Sequence, residues 1–131
     1  MRNFMLCILL FTAVSCKEPL IGTCSNPFSI VVNKPIKEDN LLVYYVDVKN
    51  YGKWWLSSMA VDGKYINEEF NSKFTQDSFI HDTESFIFEK VNNSKIKITV
   101  KENKKLLKLK IILQSGNCID SFDVNQYHYN L

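Results

Sequence analysis

The sequence predicts an all-β fold, an immunoglobulin-like β-sandwich of about seven to eight antiparallel strands. Three observations carry this expectation. Between residues 94 and 126, apolar and polar positions alternate: Ile96, Ile98 and Val100 share one parity, and Lys95, Lys97, Thr99 and Lys101 the other. That is the period of a half-buried strand. Leu107, Leu109, Ile111 and Leu113 repeat the pattern, with Lys108 and Lys110 on the polar side. Second, Asp62-Gly63 between Val61 and Lys64 is a strong hairpin signal, since a type I′ turn needs positive φ at both central residues. Third, almost no helical period occurs past the amino terminus. The runs at 94–101, 107–113 and 119–124, separated by ENKK and QSGN, read as one meander with a dry face, and such a sheet needs a second layer over it.

Taken in order, the chain opens with Arg2 and Asn3 and then an apolar run, residues 4–14, broken by Thr12. Eleven residues of helix reach only about 16 Å, roughly half the hydrocarbon core of a bilayer, so the run does not span a membrane. It reads as a secretory signal peptide over residues 1–15. Ala13-Val14-Ser15-Cys16 resembles a bacterial lipobox, which makes Cys16 the diacylated amino terminus of the mature protein. The other reading is an ordinary cleavage near Ser15 that leaves Cys16 a free thiol. Each buried methylene contributes about 0.8 kcal/mol, so two acyl chains anchor a protein stably. Residues 16–26 then form a tether, and residues 27–131 the sandwich domain. Lys17-Glu18 resembles the short charged signal that sends lipoproteins to the outer face of the outer membrane in Bacteroidetes. An outer-membrane lipoprotein, surface-exposed or facing the periplasm, is expected.

Within the domain, residues 28–32 form the first strand candidate, between Pro27 and Pro35, positions that suit an edge strand. The charged turn at 37–40 leads to residues 41–49, where Leu42, Tyr44, Val46 and Val48 share a face. Residues 53–61 carry Trp54 and Trp55, and 64–68 is the return strand of the Asp62-Gly63 hairpin. From 69 to 84 the pattern is lost, which predicts a long loop or a poorly formed edge segment, and loops of this length tend to be functional or mobile. Residues 85–91 resume as a strand, a turn follows at 92–94, and the meander completes the domain. The tail, 126–131, extends the last strand or frays.

Charge excludes one class of partner. Of 16 basic side chains the signal peptide removes only Arg2, leaving 15 against 14 acids, and this near-balance gives no footprint for nucleic acid. Catalysis finds little footing either. His81 and His128 are the only histidines, Gly-x-Ser-x-Gly and His-Glu-x-x-His are absent, and four glycines form no phosphate loop. Neither His nor Cys shows metal-ligand spacing. A non-catalytic protein without cofactor or metal is expected.

Trp54-Trp55-Leu56 at a strand start, Phe86-Ile87-Phe88-Glu89, KITVKEN ending at Asn103, and LKIILQSGNCIDSFDVNQ closing on Gln126 form an ordered series. Together they resemble the BACON-like immunoglobulin-type domains of Bacteroidetes lipoproteins, over about residues 50–126. Where that family carries an Arg opening the strand after Glu-Asn, this chain has Leu107 or Lys108. The resemblance implies an extracytoplasmic β-sandwich, either binding carbohydrate or mucin or serving as a spacer, and implies no catalytic residue.

Three groups of side chains are candidate sites. Cys24 and Cys118 lie at the two ends of the domain, and export permits a disulfide between them, worth roughly 4–5 kcal/mol by loop entropy; the alternative is two buried thiols. Trp54 and Trp55, as strand neighbours, face opposite ways. One is core, and the other is either an outer-face platform for a sugar ring or packed beneath the 69–84 loop. Lys95, Lys97, Lys101, Lys108 and Lys110 share the wet parity of two runs expected to pair. Like charges facing each other are unfavourable, so the face is a patch for an acidic glycan, or acids such as Glu89 and Asp123 balance it, or it is simply a solvated face. The function expected is a lipid-anchored envelope binding module for glycan or mucin; the alternative is a structural spacer or an accessory subunit of an outer-membrane complex.

Overall fold

The computed structural model describes Cys24 and residues 27–50, 52–66, 76–101 and 107–126. Among them are ten strands: β1 (Ser29–Val32), β2 (Ile36–Glu38), β3 (Leu41–Lys49), β4 (Trp55–Val61), β5 (Lys64–Tyr65), β6 (Phe79–Asp82), β7 (Phe86–Asn92), β8 (Lys95–Val100), β9 (Lys108–Ser115) and β10 (Cys118–Asn125). They form two antiparallel sheets. One runs β1-β3-β8-β7-β6 with β2 also on β3, and the other β10-β9-β4-β5. The sheets pack face to face as a β-sandwich. Tyr44, Val46, Val48, Phe86, Phe88, Ile96 and Ile98 of the first meet Leu56, Met59, Leu109, Ile111, Leu113 and Val124 of the second in one buried cluster.

Turn chemistry and bulges set the register. Asp39 and Asn40 at φ 49° and 65°, and Asp62 and Gly63 at 50° and 81°, supply the paired positive φ of type I′ turns between β2 and β3 and between β4 and β5. Gly116, at φ 59°, takes the first central position of the β9–β10 turn, where a type II′ turn calls for glycine. In β4 a register shift between Leu56 and Ser58 inserts one residue. This lets Leu56 and Met59, three apart, both face the core despite the period of two.

Two sequence expectations need correction, and two others are met in part. The 94–126 stretch is not one meander: β8 pairs with β3 and β7, and β9 with β4 and β10. Parity tells a strand which face is dry, but both sheets of a sandwich have such a face, so the pattern cannot tell which sheet a strand joins. Residues 37–40 are not simply a turn, because β2 precedes the Asp39-Asn40 pair. Within 69–84, β6 is a short edge strand, paired from Phe79↔Lys90 to Asp82↔Ile87, which agrees with the edge-segment reading rather than the loop over those residues. Of the expected return strand at 64–68, Lys64–Tyr65 forms β5 and Ile66 extends the ladder by donating its N–H to the Met59 carbonyl at 2.9 Å, while residues 67 and 68 lie outside the described residues. The signal peptide, Cys16, most of the tether, part of the 69–84 stretch, the ENKK turn and the tail beyond Gln126 lie outside the described residues.

Candidate functional site

The lysines do not make one patch. Lys95 and Lys97 lie on the outer face of the β1-β3-β8-β7-β6 sheet and Lys108 and Lys110 on the outer face of the other, because β8 and β9 belong to different sheets. Most have acids at hand. Lys97 Nζ is 2.7 Å from Glu38 Oε2, and Tyr45 donates its hydroxyl to Glu38 Oε1 at 2.7 Å. Lys101 pairs with Asp82 and donates to the Thr83 carbonyl at 2.6 Å. In register, Asp47 stands opposite Lys95, Glu89 opposite Lys97, and Asp123 opposite Lys110. The Lys97 and Tyr45 hydrogen bonds hold the Glu38 carboxyl below its usual range, and the Glu38 bond holds the Lys97 ammonium above its own. This is a balanced surface, and the expectation of a shared lysine face is not met.

Nor is Trp54 a platform. Its side chain is 1% exposed, and its indole donates to the Asn93 carbonyl at 2.7 Å. Trp55, opposite Gln114 on the outer face of the second sheet, is half-buried. Sequence reading missed the partner of Trp54, which is Lys90. On β7, Phe86, Phe88 and Lys90 occupy the inward parity, so the lysine follows two core phenylalanines into the interior and is 1% exposed. Its ammonium lies 4.1 Å from the centroid of the Trp54 ring and donates to the Trp54 carbonyl at 2.9 Å. The ring quadrupole and the carbonyl together stand in for water around the charge. Burial pushes the Lys90 pKa down, and nearby Asp77 partly offsets this. The available signal was the parity of the run Phe86-Ile87-Phe88-Glu89-Lys90.

These contacts gather at one end of the sandwich. Ser115, buried at the end of β9, donates to Asn50 Oδ1 at 3.1 Å and to the Lys53 carbonyl at 2.9 Å, tying the β3–β4 connection down. Asn93 reaches Asp77 at 3.3 Å. Cys24 and Cys118 form a disulfide there, with Cα atoms 4.8 Å apart, which fixes the incoming chain to the start of β10. Between these supports lies a cleft of about 780 Å³, lined by residues 27–29, 48–50 and 92–94. Small-ligand pockets run to about 300–1,000 Å³. Pro27 and Phe28, with buried Val48 behind them, give the cleft an apolar floor, while Ser29, Asn50, Asn92, Asn93 and Ser94 give it a polar rim; among the described residues Lys49 is the only charged side chain lining it. None of these residues was singled out as a site from the sequence, because they are far apart in it and carry no reactive group. Among the described residues no group of three or more His, Cys, Asp or Glu is placed to hold a metal ion.

The sandwich is similar to an NMR structure of a protein from Bacteroides thetaiotaomicron, with a TM-score of 0.53 and 20% identity over 74% of this chain and 83% of that one. At that identity the likeness speaks for the fold alone. No family model matches the chain, and no curated protein matches it.

Proposed function

We propose that this protein is a non-catalytic, lipid-anchored binding module of the bacterial envelope, of the BACON-like immunoglobulin type, and that it holds a small ligand in the cleft at the end where its tether enters. The single observation that carries the binding reading is that cleft, which combines an apolar floor with a rim of amides and hydroxyls. The immunoglobulin type is supported by strand order, since β1-β3-β8-β7 opposite β10-β9-β4-β5 corresponds to sheets ABED and GFC with an added C′. A buried Trp beside the C-equivalent strand agrees with it. The anchor rests on the residues around Cys16. Half-buried Trp55 leaves room for a glycan contact on the outer face, where Gln114 stands opposite it, whereas five polar residues line the cleft. The accessory-subunit reading draws on exposed Val31, Ile36 and Ile119 along the β1/β2 and β10 edges.

The experiment is retention of small molecules from envelope extract by the full-length protein, compared by mass spectrometry with a Phe28→Gln variant. A species held by the wild type and lost by the variant supports the binding module. No difference between them ends it and leaves the spacer or accessory role. Labelling with a clickable fatty acid, present in wild type and absent in Cys16→Ala, tests the anchor.

A further inference from the structure

We propose that the ligand of this cleft is a free fatty acid taken from the adjoining leaflet, with its alkyl chain against Pro27 and Phe28 and its carboxylate at Lys49. The inference rests on the binding reading above and names its ligand. The lining is amphipathic in a particular way. Pro27 is exposed and Phe28 half-buried, and neither side chain carries a hydrogen-bonding group; Val48 behind them is buried in the core. Among the described residues the one charge on the lining is a cation, Lys49, exposed at the end of β3. Among them no carboxylate lines the cleft to repel an anion. A ligand that matches both halves has a hydrocarbon end and a single negative end. The rim amides are already engaged in supporting the fold: Asn50 accepts from Gly52 and Ser115, and Asn92 caps Ser94 through both its N–H and its hydroxyl. They are held in place as a frame and are less free to read a pattern of hydroxyls.

Position gives the second argument. The described chain enters this end through Cys24, held to Cys118, three residues before the cleft wall begins at Pro27. Cys16 stands eight residues before Cys24, and eight residues span at most about 30 Å when fully extended. An acylated Cys16 therefore keeps Cys24 within about 30 Å of the bilayer surface, and Pro27, three residues further on, within about 40 Å, near the lipid where fatty acids are concentrated.

The test uses the full-length protein carrying Cys16→Ser, which has no acyl chain of its own to compete. Titration with cis-parinaric acid, a fatty acid that fluoresces in apolar surroundings, is expected to saturate. Oleic acid should displace it, while oleyl alcohol displaces it more weakly and maltotetraose not at all. Phe28→Gln should weaken binding roughly tenfold or more, the change expected for losing a buried aromatic contact. Lys49→Ser, at an exposed position that leaves the core untouched, should erase the preference for oleic acid over oleyl alcohol, and it carries the test if Phe28→Gln does not fold. The proposal is overturned by the absence of saturable fluorescence, by displacement with maltotetraose, or by a Lys49→Ser variant that keeps the full acid preference. Clickable labelling of the wild type separates this from the anchor: labelled protein that binds no parinaric acid removes the fatty-acid site alone, and binding without labelling removes the anchor alone.

Discussion

The end of the sandwich that carries the Cys24–Cys118 disulfide, where the proposed tether would enter, and the two outer faces are built from the same residue types under opposite constraints. At the tether end Lys90 is enclosed, held by the Trp54 ring and carbonyl, and burial lowers its pKa. One strand away in the same sheet, Lys97 lies on the outer face, held by Glu38, and its pKa rises. Facing inward or outward, not residue type, decides whether a lysine is a structural element of the core or a solvated charge. Contacts at the tether end have no water to replace them, whereas those on the outer faces do. Damage at the first should therefore be expensive and independent of salt, and damage at the second mild and screened.

The largest effect is expected from the disulfide, which closes a separation of 94 residues. Replacing Cys24 and Cys118 together by Ala should lower stability by about 4–5 kcal/mol in urea melts, if chain entropy dominates. An unchanged midpoint would show that the tether end is held without it. Next, Trp54→Ala removes a fully buried ring and leaves the Lys90 ammonium only the residue-54 carbonyl; a loss of about 3–5 kcal/mol is expected, insensitive to added salt.

Lys90→Met sharpens the comparison through pH. At neutral pH two effects oppose each other, since the variant relieves a buried charge but leaves the Trp54 carbonyl without its donor, at about 1–3 kcal/mol. The slope is therefore the readout. The folded-state pKa of Lys90 lies below the ordinary 10.5, so between those two values the unfolded chain binds more protons and stability rises with pH. Wild type should gain on Lys90→Met as pH climbs toward 10.5, and parallel curves would contradict the buried charge. The smallest effect is expected at Glu38→Gln. The Glu38 carboxyl is held below its ordinary 4.5 by Lys97 and Tyr45. Its contribution is present above that value and fades as pH falls below it, and high salt should erase much of the difference between wild type and variant.

Much of the fold was legible in the sequence because strand parity is a local property. The faces of β3, β8 and β9 and the Asp62-Gly63 turn follow from short-range pattern, and the Cys24–Cys118 bridge is one of the two readings the sequence left open for those cysteines. What could not be read is how the strands are partnered. Joining β8 to β9 in one sheet brought Lys97 and Lys108 together, and their true separation onto two sheets dissolves the patch. Strand β6 was legible only as a poorly formed edge segment because FIHD is four residues long and interrupted by polar side chains. Lys90 was hidden because a lysine after Phe88 looks like the end of a strand, whereas a register shift between Lys90 and Asn92 takes up the irregularity beyond it. The cleft is assembled from three chain segments whose meeting depends wholly on that partnering.

The most direct test of the account is where a ligand leaves its mark. Amide hydrogen exchange of the full-length Cys16→Ser protein, with and without saturating oleic acid, reads each segment separately. Slowed exchange concentrated at residues 27–29, 48–50 and 92–94 is the expected result. Slowing instead around Trp55, or on the outer-face strands carrying Lys97 and Lys110, with the cleft segments unchanged, would contradict it.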